Sequence, residues 1–334
     1  MSGGVDSAVT AALAMEQGYE VAGATMYLHD GAENEIADAR ASCEKLGIPF
    51  YEFDWRQQFW ELVQKPFMDI YRAGRTPNPC VICNKTVKFG LFLDKALELG
   101  FEGVATGHYG RIAQEAGRTI VRTALDVSKD QTYMFWSLSQ DQLSRIVLPM
   151  GIMTKDAARQ KAEALGLAVA HKHDSQDICF IPDGDYMRWL TDHGLVPQSG
   201  HFIGPQGEDL GPHRGLEAYT IGQRRGLDIA YGSRIYVTGK CGTDVLIGPN
   251  EALFSDRVLV SGVNFIPFDS LSAPIRAQAK LRYTPKASPC TIVPRENGAE
   301  LVFDEPQRAV TPGQAAVFYD GELLLGGGII DGTP

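Results

Sequence analysis

The chain opens with Ser2-Gly3-Gly4-Val5-Asp6-Ser7 and passes without a break into an Ala-rich helical pattern over residues 5–17. Two adjacent glycines let a backbone come within reach of a phosphate, and Ser2 and Ser7 supply hydroxyl donors. A helix starting here aims its unpaired N–H groups and positive dipole end at the anion. The string lacks the Gly-Lys-Ser/Thr ending that brings a lysine to the β and γ phosphates, so it is not the loop of kinases and GTPases. It reads as a loop for ATP cleaved between its α and β phosphates; the bland alternative is a glycine-rich turn before an ordinary helix. Such a loop normally follows the first strand of a parallel sheet, yet only Met1 precedes it. Either the start of the reading frame is placed too late or a neighbouring segment substitutes. The expectation is that a version longer by about ten β-prone residues is the active form.

Beyond the loop, β-rich runs at 19–27, 49–53 and 103–106 alternate with helical patterns at 35–46 (ended by Gly47), 57–71 and 85–99. This alternation predicts an α/β unit with a parallel sheet covered by helices. Helical patterns at 155–165 and 185–192 follow. From Pro197 to about Asn250 the chain is dense in glycine, with short strands. After about Asp256, alternating strands at 257–260, 277–283, 290–293 and 315–319 predict a small antiparallel β-barrel. At 334 residues the chain exceeds one comfortable core. The expected division is 1–182, 183–255 (a small β-rich central domain) and 256–334. A formal net charge of −10 argues against nonspecific coating of nucleic acid. No apolar run approaches the roughly 20 residues of a membrane span, and no secretory pattern opens the chain, so the expected location is the cytoplasm.

Six cysteines are too few and too unevenly spaced for a disulfide scaffold: Cys43, the close pair Cys80 and Cys83, then Cys179, Cys241 and Cys290. The close pair sits in Arg75-Thr76-Pro77-Asn78-Pro79-Cys80-Val81-Ile82-Cys83-Asn84-Lys85, read as a proline-braced turn just before a helix. Thiols at a helix N-terminus ionise more readily to the reactive thiolate. Cys179 lies among polar, turn-forming neighbours over 174–181, and Cys43, on a helical pattern, reads as core.

With the phosphate loop, these residues make the chain resemble the bacterial tRNA-specific 2-thiouridylases from Ser2 to Ile330. Further matching strings are Ala105-Thr106-Gly107-His108-Tyr109, Ser128-Lys129-Asp130-Gln131-Thr132-Tyr133, Tyr219-Thr220-Ile221-Gly222-Gln223-Arg224 and Ala309-Val310-Thr311-Pro312-Gly313-Gln314-Ala315. The resemblance implies an adenine-nucleotide-alpha-hydrolase-like (PP-loop) first domain. It also implies ATP- and Mg2+-dependent replacement of oxygen by sulfur at C2 of the wobble uridine in tRNAs for Lys, Glu and Gln. ATP would bind at Ser2, Gly3, Gly4, Val5, Asp6, Ser7, Met26 and Gly107, the last two at strand ends, where ligands bind in such sheets. Cys179 matches the persulfide-bearing cysteine, and Cys83 the nucleophile that closes a disulfide with it. Asn78, Pro79 and Cys80 match the segment facing the target base; His108, Lys129, Asp130, Gln131, Arg282, Tyr283 and Gln314 match contacts to tRNA. The sulfur donor would be a cysteine desulfurase or a persulfide carrier.

Chemistry supports the division of labour independently, because an outer persulfide sulfur must be released and a second thiolate does this by exchange. Cys83 and Cys179 are therefore expected to lie close or to be brought close. The chain departs from some members at Cys80, where others carry an aspartate. Cys80, Cys83 and Cys179 could instead hold an iron–sulfur cluster with one open iron; a zinc site lacks an evident fourth ligand. In the last domain Arg276, Lys280, Arg282 and Lys286 read as one face of a strand, a stripe for phosphates or a charged edge. Two further functions stay open: an amidating enzyme using the same kind of loop, and a tRNA-binding remnant or sulfur-relay partner without activity.

Overall fold

The computed structural model describes residues 1–172, 178–284 and 286–334. Helix Val5–Glu16 follows the loop directly, with Gly4 extended at its cap. Its small residues Ala8 and Val9 lie in one apolar cluster with Ala158 and Ala162 of helix Lys155–Ala164, and small side chains let the two helices approach closely. Strand β1 (Gly23–Tyr27) pairs in parallel with β2 (Phe50–Asp54). Strand β3 (Val104–Ala105) precedes a hairpin of β4 (Arg111–Glu115) and β5 (Arg118–Arg122), and pairs in parallel with β6 (Ile146–Val147). Among the described residues these two parallel pairs are separate. Met1 lies beside β1: its amino group donates to the Ala24 carbonyl, and its carbonyl accepts from Thr25 Oγ1 at 2.8 Å.

The alternation read from the sequence is present, with boundaries adjusted by caps. Helix Glu33–Leu46 stops where Gly47 turns left-handed, φ 69°. The expected strand at 19–27 is confined to β1. The expected helix at 57–71 spans 56–72 with a π-helical turn at Trp60–Gln64. The helix expected at 85–99 begins earlier, at Pro79, and runs to residue 98 through π-helical turns at Asn84–Leu91. The Asn78 side chain caps its first turn, accepting from Val81 N–H at 3.3 Å, and Pro79 stands at its first position, where no N–H is needed. Cys80 and Cys83 therefore lie inside the helix, not in a turn ahead of it.

The middle of the chain forms a four-stranded sheet, β7 (His201–Ile203), β8 (Asp209–Pro212), β9 (Tyr236–Cys241) and β10 (Asp244–Gly248), in the order β8-β7-β10-β9. The last part is a barrel of β11 (Phe254–Phe265), β12 (Ile275–Lys280), β13 (Ser288–Arg295), β14 (Gly298–Arg308), β15 (Ala315–Asp320) and β16 (Leu323–Gly332). These run antiparallel in the order β11-β14-β13-β12-β15-β16, and β16 pairs back onto β11, closing the barrel so that it has no free edge. Its inner side is filled by Val258, Ile292, Leu301, Phe318 and Ile330. The barrel is joined to the first unit: Leu323 pairs with Arg122 of β5, and Gly327 lies so near Trp136 that a Cβ there would stand 2.8 Å from the indole.

One expectation fails here. Strand β12 ends at Lys280, which is buried and turned inward to the Asp130 carboxylate at 3.5 Å. Arg276 is held by Asp304 through bonds of 2.8 and 2.7 Å, and Arg282 and Lys286 lie beyond the strand. The four-residue basic face is not formed, because a buried carboxylate on the neighbouring unit captures its central lysine. No helix among the described residues is long and apolar enough to cross a membrane.

Candidate active site

The phosphate loop is built by backbone approach. Gly3 has φ +65°, and a Cβ on it would lie 2.4 Å from the Glu35 carbonyl oxygen, so only glycine lets the loop rest on the next helix. A Cβ on Gly4 would meet nothing nearer than Ser2 Oγ at 3.5 Å, which leaves that face open. Ser7 ties the loop together: its Oγ donates to Gly4 O at 3.0 Å and accepts from Ser2 N–H at 3.0 Å. Gly107, just past β3, touches the loop: a Cβ there would stand 2.9 Å from the Asp6 carbonyl carbon and 3.0 Å from Ser7 N. The structure thus brings Gly107 onto Asp6 and Ser7 across a hundred residues of chain. The open N–H groups at the start of helix Val5–Glu16 suit a phosphate.

Asp6 exposes residues that the sequence reading missed. Its carboxylate accepts from Lys155 Nζ at 2.9 and 2.8 Å and from the Tyr109 hydroxyl at 3.0 Å. Lys155 is 7% exposed and begins its helix, whose cap Thr154 accepts from Ala157 N–H at 3.2 Å. A lysine in a first helical turn meets the positive end of the dipole and is unfavourable there unless an anion faces it. That was the available signal. Asp6 is engaged, and among the described residues no group of three or more His, Cys, Asp or Glu side chains is gathered to hold a metal ion.

Cys83, 8% exposed, lies in an apolar cluster with Phe67, Tyr71, Val87, Phe180 and Ile181, against which Met26 also packs. The residues that follow Cys179 therefore belong to the same apolar cluster as Cys83. All three cysteines are free thiols; Cys80 and Cys179 keep exposed surface. Burial pushes the Cys83 thiol up to about 12, against a smaller lowering by the Lys88 ammonium, and the thiols of Cys179 and Cys80 raise it further. Burial also raises Cys80 and Cys179, again opposed by Lys88. The expectation that a helix start would favour the thiolate is overridden by desolvation: all three are neutral in this state. Residues 174–177, part of the string that singled out Cys179, lie outside the described residues. Cys43, wholly buried under Gly23, is core as expected.

The residues read as contacts to tRNA divide into two kinds. Tyr283, 50% exposed, donates from its hydroxyl to the Asp130 carbonyl at 3.1 Å, which gathers Arg282 and Tyr283 of the last unit with the 129–131 segment of the first. Several other side chains are turned inward. The Asp130 carboxylate accepts from Ala124 N–H at 3.1 Å and from the Thr132 hydroxyl at 2.9 Å. Gln131 Oε1 accepts from Tyr109 N–H at 3.0 Å. His108 bonds Thr106 Oγ1 at 2.9 Å between the rings of Phe89 and Phe135, and burial holds it well below its ordinary pKa, so it is neutral at pH 7. Gln314 Nε2 donates to the carbonyls of Thr76 and Pro77 at 3.1 and 2.9 Å, beside Asn78.

Residues 1–183 match the family described as the tRNA methyl transferase HUP domain, residues 189–245 the tRNA methyl transferase PRC-barrel domain and residues 255–330 the aminomethyltransferase beta-barrel domain. The chain is 46% identical over 344 residues to the tRNA-specific 2-thiouridylase MnmA 1 of Clostridium tetani, covering 99% of this chain and 95% of that protein. It is 45% identical over 351 residues to the MnmA protein of the same name from Pelotomaculum thermopropionicum, covering 100% and 96%. It is 44% identical over 351 residues to that of Acetivibrio thermocellus, covering 99% and 97%. With identity of this order along nearly the whole of each chain, and a phosphate loop and thiol-bearing helix in place, the chain belongs to the tRNA-specific 2-thiouridylase family.

Proposed function

We propose that this chain is the enzyme that makes 2-thiouridine at the wobble position of tRNA, using ATP and a protein-bound persulfide. The observation that carries this reading is the packing of Phe180 and Ile181, next to Cys179, into the apolar cluster that contains Cys83. ATP lies with its phosphates on the loop Ser2–Ser7, with Gly107 allowing β3 to close on it; Mg2+, when bound, would neutralise phosphate charge. The uridine C2 oxygen attacks the α phosphorus, and pyrophosphate leaves. The terminal sulfur of a Cys179 persulfide, having lost its proton, then attacks C2, and AMP departs with the oxygen. The Cys83 thiolate attacks the Cys179 sulfur, the S–S electron pair passes to the sulfur left on C2, and a Cys83–Cys179 disulfide results. A dithiol reductant resets it.

On this reading Asn78, Pro79 and Cys80 line the target base, and Arg282, Tyr283 and the 129–131 segment face the tRNA. The units 1–182, 183–255 and 256–334 carry chemistry, grip and closure. Wobble-uridine tRNAs for Lys, Glu and Gln are the substrates, the donor is a desulfurase or persulfide carrier, and the cytoplasm is the setting. The persulfide route uses Cys83 and Cys179 as thiols, and iron and sulfide assay of anaerobically purified protein separates it from a cluster-dependent route: a metal-free, fully active enzyme excludes the cluster. The test is nucleoside mass analysis of tRNA incubated with ATP, a persulfide source, and protein carrying Cys83→Ala or Cys179→Ala. Loss of 2-thiouridine in each is expected; sulfur insertion surviving both sinks the mechanism.

A further inference from the structure

Arg75, Thr76 and Pro77 lead into the capped helix that carries Cys80 and Cys83, and the barrel holds each of them. Thr76 N–H donates to Pro312 O at 2.9 Å. Gln314 Nε2 bridges the Thr76 and Pro77 carbonyls at 3.1 and 2.9 Å. The Arg75 guanidinium donates to Ile330 O at 2.7 Å and pairs with Asp331 at 3.0 Å. Gly313, at φ +93°, makes the approach possible, since a Cβ there would stand 2.8 Å from Thr76 O and 3.1 Å from Arg75 Cβ. Gln314 is itself fixed: Ile330 N–H donates to its carbonyl at 2.8 Å. One residue further on, Ala315 O accepts from the Tyr133 hydroxyl at 2.8 Å, continuing the same seam.

The bridged segment has little means of fixing itself. Pro77 and Pro79 have no N–H to donate, and their rings restrict φ, so a shift at residue 77 passes stiffly to Asn78 and the first turn of the helix. The carbonyls of Thr76 and Pro77 need donors, and the one amide supplies both. We infer that Gln314, seated by Gly313, is a positioning residue for sulfur transfer: it fixes the segment that presents Cys80 and Cys83, and its amide serves that backbone rather than the RNA. This rests on the reading of Cys83 as the nucleophile given above.

The experiment compares Gln314→Leu and Gly313→Ala with the unaltered chain, using a wobble-uridine tRNA transcript. It measures the single-turnover rate of 2-thiouridine formation at saturating tRNA, the tRNA Kd, and the alkylation rate of Cys80 and Cys83 by peptide mass. Gln314→Leu is expected to lower the saturated rate about 10- to 100-fold, with Kd within about twofold and alkylation faster, because reacting groups tolerate little misplacement. A weakened Kd with the saturated rate retained would make Gln314 an RNA contact and overturn the inference, as would unchanged values throughout. A thermal melt accompanies each variant; should Gln314→Leu fail to fold, Gly313→Ala decides by the same criteria. Cys83→Ala, run alongside, separates the two ideas: wild-type sulfur insertion in that variant removes the reading of Cys83, whatever the Gln314 result.

Discussion

The two ends of the site solve opposite problems. In the phosphate loop the polar groups are tied to one another: Ser7 to Ser2 and Gly4, and Asp6 to Lys155 and Tyr109. Around the thiols the environment is apolar, Cys83 lying among Phe67, Val87, Phe180 and Ile181. The first arrangement is ready for an anion without reorganisation. The second keeps the Cys83 thiol protonated, because burial disfavours its charged form. The contrast teaches that fixed dipoles favour a charged ligand that arrives complete, whereas a reactive thiolate is better generated at the moment of use.

The largest effect expected is from Lys155→Met, which strips Asp6 of its cation. The loss of a preorganised charge contact should slow ATP-dependent adenylation of tRNA about 100-fold, measured by pyrophosphate release. Breaking a partly buried pair should also lower stability by about 2 kcal/mol in urea titrations. Iodoacetamide labelling of Cys83 should stay as in the parent; a change there would show that the two ends are coupled. Next comes Gly107→Ala, whose Cβ would press on Asp6 and Ser7. It should weaken ATP binding about tenfold, roughly 1.4 kcal/mol, by calorimetry; unaltered affinity would mean that the loop gives way.

The thiol end is sharpened by pH. The folded-state pKa of Cys83 is raised from 9.0 to about 12, so the unfolded chain loses this proton first as pH rises. Stability from the neutral buried thiol is fully present below about 9 and declines between 9 and 12, on the order of 1 kcal/mol per pH unit. Denaturant midpoints of the parent should therefore fall more steeply across that window than those of Cys83→Ser. Equal slopes would mean that the thiol is already solvated. The smallest effect is expected from Asn78→Ala, which removes the cap of the thiol-bearing helix and should reduce stability by about 1 kcal/mol, read from the urea midpoint.

Much of this was legible locally. The glycines and serines of the loop, Gly47 as a helix stop and the alternating strands of the barrel declare themselves within a few residues, because backbone conformation and side-chain period are short-range properties. The start of the thiol-bearing helix was misread by several residues although its signals, Asn78 and Pro79, were in plain view. Lys280 was misread for a different reason. A strand's period gives the face on which a residue stands, but not whether a carboxylate such as Asp130 waits beneath it.

The sequence by itself determined a phosphate loop at a helix start, an α/β unit followed by a β-rich unit and a barrel, and the cysteines on which the proposed chemistry rests. Only the tertiary structure decided that Lys155 and Tyr109 hold Asp6, that Gly107 touches the loop, that Phe180 and Ile181 share an apolar cluster with Cys83, and that Gln314 grips Thr76 and Pro77. The physical reason is range. Caps, turns and periodicities act between near neighbours in the chain, whereas the burial that raises the thiols and the pairing of distant charges arise only once separate segments exclude water together.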